Sequence, residues 1–229
     1  MMRKIATRQI NKTVETKRGL YTSTDGTEIS HNNFITVNSA LLATTQGVED
    51  EMNTMGKRIG DEINLTGVSI KLMLELNERY SDVTFRVLVV KCAKGDAPTR
   101  ANLFTGTSGN KMLDTINKER YTVLAQEYVQ MKTPGYGTQG GVVGGGPGLN
   151  HASEPNPSLS RATRIVRMYI PGTKFSKTGR IKYENDSSQV KFFDYHLLVY
   201  AYSNYSTLQD IWNVGRLNDC IVQLYYKDA

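Results

Sequence analysis

Residues 135–140, GYGTQG, repeat the G-x-G-x-x-G spacing that lets amides at a helix N-terminus hold a pyrophosphate. That chemistry needs a helix directly after the glycines. The residues that follow, GVVGGGPGLNHASEPNPS, include Gly144, Gly145, Gly146, Pro147, Pro155 and Pro157, all of which break helical turns. The segment reads instead as a long exposed loop. GTSGNK, residues 106–111, lacks both the spacing and the final hydroxyl residue of a phosphate-binding loop. His31, His151 and His196 stand apart, whereas a metal site on a β-barrel needs ligands clustered on neighbouring strands. The carboxylates of EDEMNTMGKRIGDE, residues 49–62, have the oxygen chemistry of a calcium site, yet read as a solvated charged loop. The expectation is a chain with no catalytic residue, no metal and no cofactor.

Charge points elsewhere. The net charge is +6, and residues 1–20 alone hold Arg3, Lys4, Arg8, Lys12, Lys17 and Arg18 against Glu15. The rest of the chain is nearly neutral. A basic arm ahead of a folded domain suits a polyanion, most often nucleic acid. A second basic stretch, Arg161 to Lys191, includes Arg161, Arg164 and Arg167, and interleaves Lys174, Lys177, Arg180 and Lys182 with Tyr169, Phe175 and Tyr183. Cations and aromatic rings together bind phosphates and stack on unpaired bases. A merely solvated strand face fits the same stretch.

The elements that must position these groups are strands. In VSIKLMLEL, Val68, Ile70, Leu72, Leu74 and Leu76 share one face while Lys71 and Glu75 take the other. Ile63 and Leu65 lie in the opposite phase, which places a bulge at Gly67. DVTFRVLVVKC repeats the alternation, and HNNFITV, RYTVLAQEYVQM, RATRIVRMYI, KFFDYHLLVYAY and DCIVQLYYKD read as further strands. Short helices are expected at SGNKMLDTINKER, capped by Ser108, and at STLQDIWNVGRLN. The pattern predicts an all-β, single antiparallel jelly-roll sandwich with short helices in its loops, an arm over residues 1–28 and one domain over 29–229. Cys92 and Cys220 sit in apolar runs and read as buried, reduced thiols. No apolar run has the length of a signal or membrane segment.

KRIGDEINLTGVSIKLMLE, residues 57–75, resembles the R-x-G-x-x-I-x-L-x-G stretch of capsid proteins from circular single-stranded DNA viruses that encode a replication protein, the CRESS-DNA viruses. Arg58, Gly60, Ile63, Leu65 and Gly67 carry the match. FRVLVVKCAKGDAPTRANLFTG, residues 85–106, and the closing IVQLYYKDA are similar to that family's next strand and its last. The resemblance implies an eight-stranded jelly roll that assembles as a homo-oligomer of about 60 copies, an icosahedral T=1 shell around circular single-stranded DNA. It implies a virion protein, assembled in the host nucleus or cytoplasm, whose nucleic-acid contacts are Arg3, Lys4, Arg8, Lys12, Lys17, Arg18, Arg161, Arg164 and Arg167. Two other readings stand beside it: a jelly-roll module binding carbohydrate or protein through its loop ends, and a metal enzyme on a cupin-like barrel.

Overall fold

The computed structural model describes residues 16–24, 26–47, 57–77, 80, 82–106, 108–132, 162–203 and 212–228. Ten strands lie among them: β1 Lys17–Ser23, β2 Thr27–Ser30, β3 Asn33–Asn38, β4 Glu62–Leu76, β5 Asp82–Ala93, β6 Thr122–Lys132, β7 Thr163–Pro171, β8 Arg180–Lys182, β9 Phe193–Ser203 and β10 Asn213–Asp228. One helical turn, α1 Gly172–Phe175, joins β7 to β8. All strand pairs are antiparallel and form two sheets, ordered β1-β10-β4-β7 and β3-β9-β5-β6. Those eight strands are the doubly wound jelly roll of two Greek keys. The short β2 and β8 extend the first sheet against β10 and β4.

The alternation read in the sequence builds the core. Val68, Ile70, Leu72 and Leu74 of β4 face Val83, Phe85, Val87 and Val89 of β5 and Leu197 and Val199 of β9 across the sandwich, all at most 1 % exposed. Burying each such side chain contributes about 1.5–3 kcal/mol. The phase change at Gly67 is a bulge: Tyr225 pairs with Gly67 and Tyr226 with Leu65, leaving Thr66 as the extra residue. Cys92 and Cys220 are free and buried, and burial pushes their thiols up to about 11 and about 12. At pH 8 a thiol reagent is therefore expected to label neither cysteine in the native protein within minutes, and both once denaturant is added.

The two sheets differ on their outer faces. The β5–β6 connection, residues 94–121, folds back over the four-stranded sheet and buries Leu103, Phe104, Ile116 and Tyr121 against Leu88, Val90, Leu198 and Tyr200. The expected helix at 108–120 is instead a pair of isolated turns. Gly109 has φ +77°, Lys111 donates its amide to Asn32 Oδ1 at 2.9 Å, and Ser108 and Lys111 both bind the Asp114 carboxylate. Asn110 and Asn117 each cap their own turn with side-chain oxygens. Local side-chain bonds and tertiary contacts replace the helical ladder.

Two further expectations are corrected. From Asn213 onward the second helical segment is strand, paired with both β2 and β4; its residues before Trp212 lie outside the described set. Residues 17–23 and 27–28, expected in the arm, are β1 and the start of β2, so the sheet begins at Lys17. At α1 the fit is tight enough to exclude a side chain: a Cβ on Gly172 would lie 1.8 Å from the Leu65 carbonyl oxygen. Gly172→Ala is expected to cost about 3 kcal/mol and to lower the melting temperature by roughly 6–12 °C, measured by thermal circular dichroism.

Candidate nucleic-acid interface

The β5–β6 connection covers one outer face; among the described residues, the face left exposed belongs to the six-stranded sheet. Its outward residues follow from register. One row across β1, β10, β4 and β7 is Thr22, Ile221, Lys71 and Arg167. The next is Leu20, Gln223, Ser69 and Tyr169, and the third is Arg18, Tyr225, Gly67 and Pro171. Three cations and no carboxylate occupy these twelve positions. Neighbouring strands lie about 4.8 Å apart, so the patch spans roughly 14 Å.

The aromatic groups on this face are held by specific contacts. The Tyr169 phenol lies across Gly67, where a Cβ would come within 2.3–2.9 Å of its hydroxyl oxygen and two ring carbons, and the hydroxyl donates to the Thr66 carbonyl at 3.5 Å. The bulge thus creates a seat for an aromatic side chain that is still 59 % exposed. The Arg18 guanidinium sits 5.8 Å from the Tyr225 ring centroid. Leu20 and Ile221 are exposed beside them. Carboxylates return only beyond the patch, where Asp219 and Glu75 accompany Arg216, and Asn218 donates to Glu75 at 2.5 Å.

Of the residues expected to bind nucleic acid, the structure brings Arg18 and Arg167 onto this face and adds Lys71, whose opposite phase to Val68 and Ile70 was the available signal. Lys17 is spent on structure: its ammonium lies 2.6 Å from Asp228 and donates to the Lys57 carbonyl at 3.1 Å. Arg164 turns to the end of the sandwich and donates to the Gln130 carbonyl of β6 at 3.2 Å. Arg3, Lys4, Arg8, Lys12 and Arg161 lie outside the described residues, as do GYGTQG and His151. The basic run from Arg161 to Lys191 is therefore not one surface. Tyr183, counted among its aromatic groups, is 1 % exposed and donates its hydroxyl to the Leu42 carbonyl at 2.8 Å.

The other chemistry weighed in the sequence resolves into structure. Asp61 and Glu62 of the acidic stretch pair with Arg58 and with Arg180 and Lys182. His31 Nδ1 accepts the Ser203 amide at 3.1 Å. His196 is 4 % exposed within β9, and burial holds its imidazole below the ordinary histidine range. The fold thus favours the neutral ring, and its contribution is lost as pH falls through the unfolded-state value near 6.5. Urea midpoints are expected to drop between pH 7.5 and pH 5.5, and His196→Gln to flatten that difference. No group of three or more His, Cys, Asp or Glu suited to a metal ion occurs among the described residues. No helix among them is long and apolar enough to cross a membrane. Comparison with known protein families and with curated proteins finds no match for this chain.

Proposed function

We propose that this protein is a coat protein whose copies close into an icosahedral shell around circular single-stranded DNA, holding the genome by sequence-independent electrostatic contacts. Where charge sits carries the reading. The basic segment ending at residue 16 leads directly into β1, an edge strand of the six-stranded sheet, and the outer face of that sheet, exposed among the described residues, holds Arg18, Lys71 and Arg167 without a carboxylate among them. Arm and face would line the inside of the shell together. Leu113, Tyr128 and Trp212, at 74 %, 49 % and 45 % exposed, offer apolar area on loops and on the β6 edge for contacts between copies. Phosphates, rather than base edges, are what such a surface recognises.

The test is the salt dependence of single-strand binding. Each phosphate contact contributes about 0.7 to the slope of log affinity against log salt. The double variant Lys71→Gln with Arg167→Gln is expected to lower that slope by about 1.4, equally for strands of unrelated sequence, in fluorescence anisotropy titrations. An unchanged slope and affinity would remove the face from the interface.

A further inference from the structure

A second cationic feature lies at one end of the sandwich, between the two sheets. A cleft of about 410 Å³ opens there, with Phe175, Ile181 and Tyr195 among its lining. Phe175 and Tyr195 pack edge to face at 5.4 Å, and the Tyr195 hydroxyl donates to the Phe175 carbonyl at 3.4 Å. Burial raises that phenol to about 12, so it stays neutral. This part of the wall is aromatic and uncharged.

Four cations, Lys91, Lys177, Arg180 and Lys182, line the same cleft against one carboxylate, Glu62. Glu62 is shared between Arg180 at 3.2 Å and Lys182 at 3.6 Å, while both cations keep more than half of their side-chain surface in solvent. Lys91 lies 3.6 Å over the Phe193 ring, and burial lowers its pKa, so an anion would restore interactions that the cleft denies it. Phe192 and Phe193 remain 55 % and 41 % exposed. Lys191 lies 5.9 Å from the Phe192 ring centroid, so each ring already has one cation beside it, and the parts of both rings left in solvent match a ligand with one flat apolar part and one anionic part. A free phosphate uses only the cations; an apolar peptide uses only the rings.

We propose that this cleft holds one unstacked nucleotide of a single-stranded nucleic acid, its base against Phe192 and Phe193 and its phosphate among Lys177, Arg180 and Lys182. The source of the ligand rests on the shell reading above, but the site is separate from the sheet face. The cleft volume falls in the range of small-ligand pockets. Base stacking makes the contact tolerant of sequence, because every base has a π-face.

The experiment compares two labelled ten-residue strands by anisotropy on the full chain: oligo-dT, and an abasic deoxyribose-phosphate strand of equal charge. The unaltered protein is expected to prefer oligo-dT by about tenfold. Phe192→Leu with Phe193→Leu, which keeps the apolar cover but removes the rings, is expected to abolish that preference while the abasic strand binds as before. Lys177→Gln with Lys182→Gln is expected to weaken both strands and lower the salt slope by about 1.4. Equal binding of the two strands by the unaltered chain overturns the proposal, as does a preference that survives the loss of both rings in a variant of native melting temperature. Competition by polyglutamate as strong as by oligo-dT also overturns it. Particles that form and retain DNA while the phenylalanine variants behave as the parent leave the shell standing without the pocket. A chain that never assembles, yet loses base preference with its two rings, does the reverse.

Discussion

Arg58→Ala is expected to lower the unfolding free energy by about 3–4 kcal/mol, the largest loss anticipated for any single polar side chain here. Arg58 has no exposed surface. Its guanidinium donates to the Gly60 carbonyl, to Asp61 at 3.1 Å and to the Ser187 carbonyl, and it stacks 4.4 Å from the Tyr183 ring centroid. Its backbone holds a further segment, the one after β3, accepting from Gly47 at 2.9 Å and donating to Thr45 at 3.1 Å. One side chain thus ties the segment before β4 to the segment after β8. Asp61 is exposed enough to regain water after the substitution, so most of the loss comes from the stranded carbonyls and the emptied space over Tyr183. Arg58→Lys keeps the charge but not the fork, and is expected to recover less than half. Urea unfolding measures both; a loss under 1 kcal/mol for the alanine variant contradicts this role for the residue.

Deleting residues 2–16 is expected to leave the sandwich folded and to strip the protein of most of its nucleic-acid affinity. The deletion removes Arg3, Lys4, Arg8 and Lys12 and spares Lys17, whose ion pair with Asp228 anchors β1. Four lost phosphate contacts lower the salt slope for single strands by about 3. The ratio of absorbance at 260 nm to that at 280 nm in purified material reports the retained nucleic acid, and the melting temperature reports the fold. A truncated chain that melts with the parent and still carries the parent's nucleic acid would place the nucleic-acid contacts on the folded domain instead of the arm.

How much of this was legible depends on which physical signal each residue carries. Strands β4 and most of β10 alternate over long stretches because one face of each is buried, whereas β5 and β9, buried on both faces, carry near-continuous apolar runs; even the bulge at Gly67 was visible as a change of phase. β1 carries no such signal: in KRGLYTS the buried residue is Gly19, while Leu20 is 66 % exposed. Its place in the sheet comes from pairing with β10, which leaves no periodic trace in a single strand. The helix expected at 108–120 failed because Asn32 and Asp114, distant or turn-forming partners, compete for its backbone and its cap. Arg58 shows the deeper limit. It carried the family resemblance, yet nothing in its neighbours predicted full burial, because Tyr183 and Ser187 reach it from more than a hundred residues away. Gly60, Ile63, Leu65 and Gly67 of the same motif are likewise structural here, supplying a carbonyl, two core side chains and the seat of Tyr169. The candidate interface was half visible for the same reason: charge is written in the sequence, but which cations share a face is set by register.

Sedimentation velocity of the full-length protein, paired with negative-stain microscopy of the same fractions, tests the shell most directly. Closed particles of uniform size that contain nucleic acid and sediment far faster than a 25.6 kDa chain are expected. A single slow boundary at every concentration and salt, with no particles on the grid, would contradict it.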